Sequence, residues 1–368
     1  MLLLGLAFGL GIGFAISYFP GTSKKKDGPP SVTPAPSTPE PGLLREELPE
    51  FDTNRVLAVF ATEEELYVSY HGMGVARTRD GATFDPLRIG MVDPKEARSI
   101  VQVKPTRESI AAALMDAGLG QGGEPDLAAM EDAIKGVAAM TPGIVAGMAD
   151  GRVLRLDGDQ WKELARLPAE GGGVFRLRYE PAVGLAACTG RGLYLSTDGG
   201  STWTQAVADP LVRDVILSPG ASNRYVIATY GNGLKRCSAA GSCTAVKGLP
   251  ALVRSLSGSA YGAQGFVGTD GDGVWSFDGG AVKQEVSGAL MNADILDIVH
   301  VGARVLAAAG PDGFWIRHAP DSGWLPGRGL PPDSVTAVAL FGGRIFVGTN
   351  RYGLFSAPLK GGDFVSVP

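Results

Sequence analysis

Residues 196–204 read STDGGSTWT, and the ten residues ending at Ser196 read ACTGRGLYLS. The polar run holds either chemistry or a turn. Its residue types favour a turn. An aspartate carboxylate can accept several local backbone hydrogen bonds, and glycine adopts backbone angles that a Cβ forbids. The closing tryptophan offers a large apolar body with one polar atom. The residues before the run are β-rich, as is TWTQAV (202–207), so the turn joins two strands.

The element before that turn recurs along the chain. A β-rich run, a tight glycine turn and a second β-rich run appear in VSYHGMGVART (68–78), AGMADGRVLRL (146–156) and ACTGRGLYLS (187–196). They appear again in ATYGNGLKRC (228–237), VGTDGDGVWSF (267–277), AAGPDGFWIR (308–317) and VGTNRYGLFSA (347–357). The turn glycines are Gly74, Gly151, Gly192, Gly233, Gly273, Gly313 and Gly353, the last six spaced by 41, 41, 40, 40 and 40 residues. Each copy follows an apolar run such as VRDVIL (212–217) and ends in a further short run. Four short strands in about 40 residues, with Gly, Asn and Asp at the turns, describe the blade of a β-propeller.

The pattern predicts an all-β, seven-bladed β-propeller over residues 51–368. It breaks between Lys104 and Thr141. There, Thr106 and Asp126 can cap helices, Gly118 can stop one, and Leu127, Met130, Ile134 and Val137 share a helical face. A helical hairpin inserted at 105–141, within the second blade, accounts for this break. It is expected to leave the turn between first and second strands, near one mouth of the channel. Because Gly74 and Gly151 lie close to two periods apart, an eighth, degenerate blade over 98–135 is the alternative.

The stretch Ser196, Asp198, Gly200, Thr202 and Trp203 matches S-x-D-x-G-x-T-W and resembles the Asp-box. Worn copies stand at 78–84, 156–161 and 317–324, with Phe84, Trp161 and Trp324 in the tryptophan's place. On these residues the chain resembles the BNR/Asp-box, YVTN-like β-propeller superfamily, and its short repeats look like those of bacterial sensor propellers. The nearest functional analogue is the photosystem assembly-factor propellers. That resemblance implies a non-catalytic domain that uses an arginine patch to hold a membrane-protein partner. Sialidase-like members imply instead a carbohydrate-active enzyme, a glycoside hydrolase. A ligand-sensing propeller of a signalling system is a third reading.

The chemistry-bearing residues do not favour catalysis. The sialidase element F-R-I-P is missing, NRVLAV (54–59) supplying only Arg55, and no acidic pair has a spacing that singles it out as acid and nucleophile. Arg98, Arg213 and Arg254 sit at the starts of first strands. They either point to one mouth of the channel or pair with Asp214, Asp297 or carbonyls. Arg191, Tyr230, Asn232, Arg351, Tyr352, His71 and Met73 fall on loops between second and third strands, a candidate recognition rim. His71 and His318 read as ordinary surface residues. No phosphate loop, calcium loop or metal set is present, and no cofactor is expected.

Net charge is −5, and no basic run lies inside the repeats, so nucleic acid is not an expected partner. A protein partner in or near a membrane is expected, with carbohydrate possible in principle. Cys237 and Cys243 flank a five-residue loop. Cys237 falls one period after Ser196 and Cys243 one after Thr202. A disulfide there would staple the turn where the hydrogen-bonding residues are lost, and would place the domain in an oxidising compartment.

Residues 1–19 are uncharged and long enough as a helix to span about 30 Å of hydrocarbon. They read as an uncleaved anchor, with a cleaved signal as the alternative. Gly5, Gly9 and Gly13 share a face suited to dimerisation. Residues 20–49 are a Pro-rich linker reaching at most about 90 Å. Lys24–Lys26 favour a cytoplasmic side for that end of the helix, whereas the disulfide favours export. The expectation is a single-pass protein with an extracytoplasmic propeller.

Overall fold

A computed structural model describes residues 54–91, 96–104, 128, 130, 142–168, 170–219, 222–258, 264–285 and 288–367. The expected anchor with Gly5, Gly9 and Gly13, the linker, and nearly all of the 105–141 insertion lie outside these residues. Ala128 and Met130, the two described residues of the insertion, are helical, and Met130 is buried. Among the described residues no helix is long and apolar enough to cross a membrane.

Seven four-stranded antiparallel sheets follow one another, each with its strands side by side in chain order. The blades span 56–87, 97–166, 174–207, 212–245, 253–284, 297–326 and 335–366. Their first strands are Val56–Ala61, Ala97–Val103, Val174–Glu180, Val212–Leu217, Val253–Gly258, Asp297–Val301 and Val335–Phe341. Each packs beside the next, and the last packs beside the first, which closes the ring. The eighth blade is excluded. Residues 97–103 are the first strand of blade 2, and Val103 pairs with Gly143 across the insertion.

Seven hydrophobic clusters fill the seven interfaces between neighbouring blades. In four blades an aromatic residue at or just before the fourth strand belongs to the interface with the preceding blade. Phe84 packs on blade 7, Trp161 on blade 1, Trp203 on blade 2 and Trp324 on blade 5. Trp161 also donates to the Leu87 carbonyl at 2.9 Å.

Close approach of the blades demands a small residue near the end of each second strand. The series is Ser69, Gly147, Cys188, Ala228, Gly268, Ala308 and Gly348. A Cβ on Gly147 would stand 2.4 Å from Val174 of the next blade, and one on Gly268 would stand 2.6 Å from Ile295. In four copies the following threonine ties the hairpin. Thr189, Thr229, Thr269 and Thr349 each donate to the carbonyl of the turn glycine at 2.7–2.9 Å.

Turns between third and fourth strands are held differently. In the segment that opened the sequence, Asp198 Oδ1 accepts from Ser196 Oγ at 2.8 Å and from the amides of Ser201 and Thr202 at 3.0 and 2.9 Å. Thr202 Oγ1 donates to Asp198 Oδ2 at 2.6 Å, and Gly200 N donates to Ser196 Oγ at 2.7 Å. Burial opposes ionisation of Asp198, but these donors outweigh it and hold its pKa below the usual carboxylate value. Blade 1 repeats the arrangement around Asp80, with Thr78, Ala82 and Thr83 as donors. In blade 4, Cys237 and Cys243 pair across the strands and are disulfide-bonded.

Among the described residues no strand is shared across the blade 7–blade 1 seam, which is closed by packing, an isolated bridge between Asn54 and Tyr352 and one side-chain hydrogen bond. Thr336 Oγ1 donates to the Val56 carbonyl at 2.8 Å, and a Cβ on Gly348 would stand 2.4 Å from Val56 Cγ1. Gly348→Ala is therefore expected to destabilise the propeller by about 2 kcal/mol through overpacking. Denaturant unfolding monitored by tryptophan fluorescence checks this; an unchanged midpoint would show that the seam is loose.

Candidate functional site

A β-bulge at the start of the first strand recurs around the ring. In blades 1 to 5 and 7, two residues oppose one on the second strand, and the extra residues are Leu57, Arg98, Phe175, Arg213, Arg254 and Thr336. Leu296 occupies the corresponding place in blade 6, where its amide donates to the Ala308 carbonyl at 2.9 Å. Bulges re-aim side chains, and here all seven residues line one cup of about 400 Å³ at the channel mouth. Arg55, His71 and Glu96 complete its lip, and Arg176 and Asp297 also line it.

The residue after each bulge serves the ring itself. Ser99 Oγ accepts from Leu177 N at 2.9 Å, Asp214 from Leu256 N at 2.9 Å and Asp297 from Val338 N at 3.2 Å. In these three places an inner-strand amide is thereby satisfied by the preceding blade. Asp214 and Asp297 do not pair with Arg98, Arg213 or Arg254, contrary to one sequence expectation. Arg178 grips Asp214 with two bonds of 2.8 and 2.7 Å and also donates to the Leu256 carbonyl at 3.0 Å. Arg176 reaches from blade 3 to Asp297 of blade 6 at 2.9 Å. Burial raises the carboxyl pKa of Asp214, but Arg178 and Arg176 outweigh it and keep it low. These ion pairs bridge blades across the channel.

The three mouth arginines differ from one another. Arg98 donates to the Gly172 carbonyl, which is presented by three successive glycines, 171–173, all at positive φ. Arg254 donates to Asp270 Oδ2 at 2.9 Å, and Tyr230 OH donates to the same oxygen. Arg213 makes no hydrogen bond among the described residues, and its Nε is buried and unpartnered. Its guanidinium lies 3.9 Å from the Phe175 ring centre and 5.1 Å from that of Tyr230. Burial, then repulsion from Arg254, lowers the pKa of Arg213 to about 10. Arg98 is also lowered, first by burial, with Glu96 opposing and Arg55 adding to the effect.

The other rim residues are dispersed. Arg191 lines a separate depression with Tyr194, Gln205 and Pro210. Arg351 binds Asp333 through its amide at 2.6 Å, and its guanidinium lies 5.9 Å from the Tyr352 ring. His71, read from sequence as an ordinary surface residue, meets Glu96 at 3.0 Å on the cup's lip. Phe175, Asp270 and Glu96 were not singled out by sequence. One signal was available for Asp270: it lies one 40-residue period after Tyr230, so adjacent blades present the pair side by side.

Fold and site together define a seven-bladed β-propeller with an arginine- and aromatic-lined cup at one mouth. Among solved structures it is similar to the extracellular domain of the putative one-component system BT4673 from B. thetaiotaomicron, with 15% identity and a TM-score of 0.57. That match covers 83% of this chain and 38% of that one, so this chain spans well under half of its length. YCF48 bound to D1 peptide matches with 12% identity and a TM-score of 0.55, covering 83% of this chain and 93% of that one. The computationally designed Ika8 protein matches with 12% identity and a TM-score of 0.52, covering 84% and 98%. No family model and no curated protein matches the chain. At these identities the likeness concerns the fold.

A half-buried cation without a partner costs stability, so Arg213→Met is expected to stabilise the fold by on the order of 1 kcal/mol after allowance for solvent screening. Thermal melts of both proteins at pH 7.5 check this; a variant that melts at or below the wild-type midpoint contradicts it.

Proposed function

We propose that the chain is a non-catalytic binding propeller that holds a protein partner through the arginine cup. One observation carries this reading: Arg213 is without a hydrogen-bond partner between two aromatic rings, in an open cup lined by four further arginines. Arginine with tyrosine or phenylalanine in a concave patch is the composition of recognition hot spots. The similarity to YCF48 bound to D1 peptide supports a peptide segment as the class of partner.

The finer parts of the reading rest on the sequence. Residues 1–19 anchor the protein, 20–49 form the stalk, and the propeller is extracytoplasmic. The Cys237–Cys243 disulfide supports export. On this reading the partner lies in or near the same membrane, and Gly5, Gly9 and Gly13 offer a dimer contact. The Asp-box residues Ser196, Asp198, Gly200, Thr202 and Trp203 serve the fold and not the partner, in keeping with a BNR-type lineage.

A second reading is favoured by Tyr230. Its hydroxyl donates to Asp270 beside Arg254 and Arg213, a set suited to an acidic sugar. Turnover of a sialoside panel by the full-length chain would favour that reading.

The test of the first is capture from membranes by the tagged full-length chain. Replacing Arg98, Arg213 and Arg254 together by Gln is expected to reduce recovery of the captured protein at least about tenfold while the circular dichroism spectrum stays unchanged. Undiminished recovery would move the interface away from the cup.

A further inference from the structure

The cup's positive charge is not all available to a ligand. Of its five arginines, Arg55 is exposed on the lip, where solvent screens its charge. Arg254 is answered by Asp270, which also takes the Tyr230 hydroxyl. Glu96 stands on the lip against His71, close enough to act on Arg98. Arg176 is spent on Asp297. That leaves, below the lip, Arg213, with no hydrogen bond, and Arg98, held only by the neutral carbonyl of Gly172. The guanidiniums of Arg98 and Arg213 lie 6.0 and 3.9 Å from the centre of the Phe175 ring and are close enough to repel each other. A planar carboxylate matches a guanidinium fork edge to edge.

Resting on the reading of the cup as the binding site, we propose that Asp270 is its charge-selecting residue: by neutralising Arg254 it fits the cup to a ligand bearing one carboxylate, held by Arg213 and Arg98, and turns away phosphate dianions. A dianion held below the lip would need Arg254 as well, and Asp270 both occupies that arginine and repels the second charge. Asp294, beside Asp270, holds its proton more tightly than an ordinary carboxyl, owing first to burial and then to its hydrogen bond with Asp270. The carboxylate can come from an acidic peptide side chain or from a free organic acid; both present the same group.

The experiment is competition binding to the full-length chain at pH 7.5. The probes are butyrate, an end-capped peptide with a single glutamate, and inorganic phosphate. In the wild type either carboxylate probe is expected to bind at least about tenfold more tightly than phosphate. A tighter glutamate peptide would identify a protein segment as the source, and equal affinities a free acid. Asp270→Asn should tighten phosphate by about tenfold and erase the preference. Arg254→Gln alone should weaken carboxylate binding, because it leaves Asp270 unopposed. The Arg254→Gln/Asp270→Asn double variant should restore carboxylate affinity to within about threefold of wild type, a recovery that misfolding would not produce. Arg213→Gln should lose both probe types.

Phosphate that matches the carboxylates in wild type, or a ratio unmoved by Asp270→Asn, overturns the selection by Asp270 while leaving the cup as a site. Failure of every probe to bind, together with partner recovery undiminished by the triple arginine replacement, overturns the cup itself and this inference with it.

Discussion

The architecture depends on a two-against-one mismatch at the start of each inner strand. In a ring of meanders, the first strand is an edge strand turned toward the channel, with amides that no sheet partner satisfies. The bulge solves two problems together. It twists the residue after it toward the neighbouring blade, where Ser99, Asp214 and Asp297 reach amides of later blades. It also throws the extra residue out of the sheet and into the mouth. Positions 57, 98, 175, 213, 254, 296 and 336 are thus released from core packing by the same geometry that closes the ring. Their side chains can vary without cost to the blades, and in four of them the chain has placed three arginines and a phenylalanine.

The two rims divide the labour. One rim carries the turns between third and fourth strands, and these are redundantly held. Asp198 and Asp80 each gather several donors, and a disulfide takes over in blade 4. The 105–141 insertion leaves from this same rim, between Val103 and Gly143. The arginine cup opens on the other rim, among the glycine turns. The expectation that the insertion sits near a channel mouth therefore applies to the mouth away from the cup.

Most of the fold was legible because its constraints are local and repeat. A turn that only glycine can make, a threonine that closes it and a small residue before it recur every 40 residues, and the period exposes them. The mouth arginines were legible for the same reason, since they recur at the starts of first strands. Phe175 was not, because an apolar residue in a strand reads as core, and only the bulge turns it outward. Asp270 was hidden by a different cause: its partners lie on another blade, and contact between blades leaves no mark within a single repeat. The pairing of Asp214 and Asp297 with Arg178 and Arg176 was misread likewise. The alternation of Arg176, Leu177 and Arg178 placed both arginines in the channel, but sequence spacing alone does not say which blade their carboxylates come from.

Two sets of arginines in one channel make the functional argument by contrast. Arg176 and Arg178 are matched with Asp297 and Asp214, in good geometry and with backbone amides filling the remaining carboxylate positions. Such charges are part of the fold, since removing either partner would strand the other in a poorly solvated channel. At the mouth the same chain leaves Arg213 unmatched, although Asp270 lies within reach of the neighbouring Arg254 and Tyr230. Stability alone would favour an apolar side chain over the Phe175 ring. A guanidinium held there, with burial and a neighbouring cation both working against its charge, is what the proposed reading of the cup as an anion site accounts for.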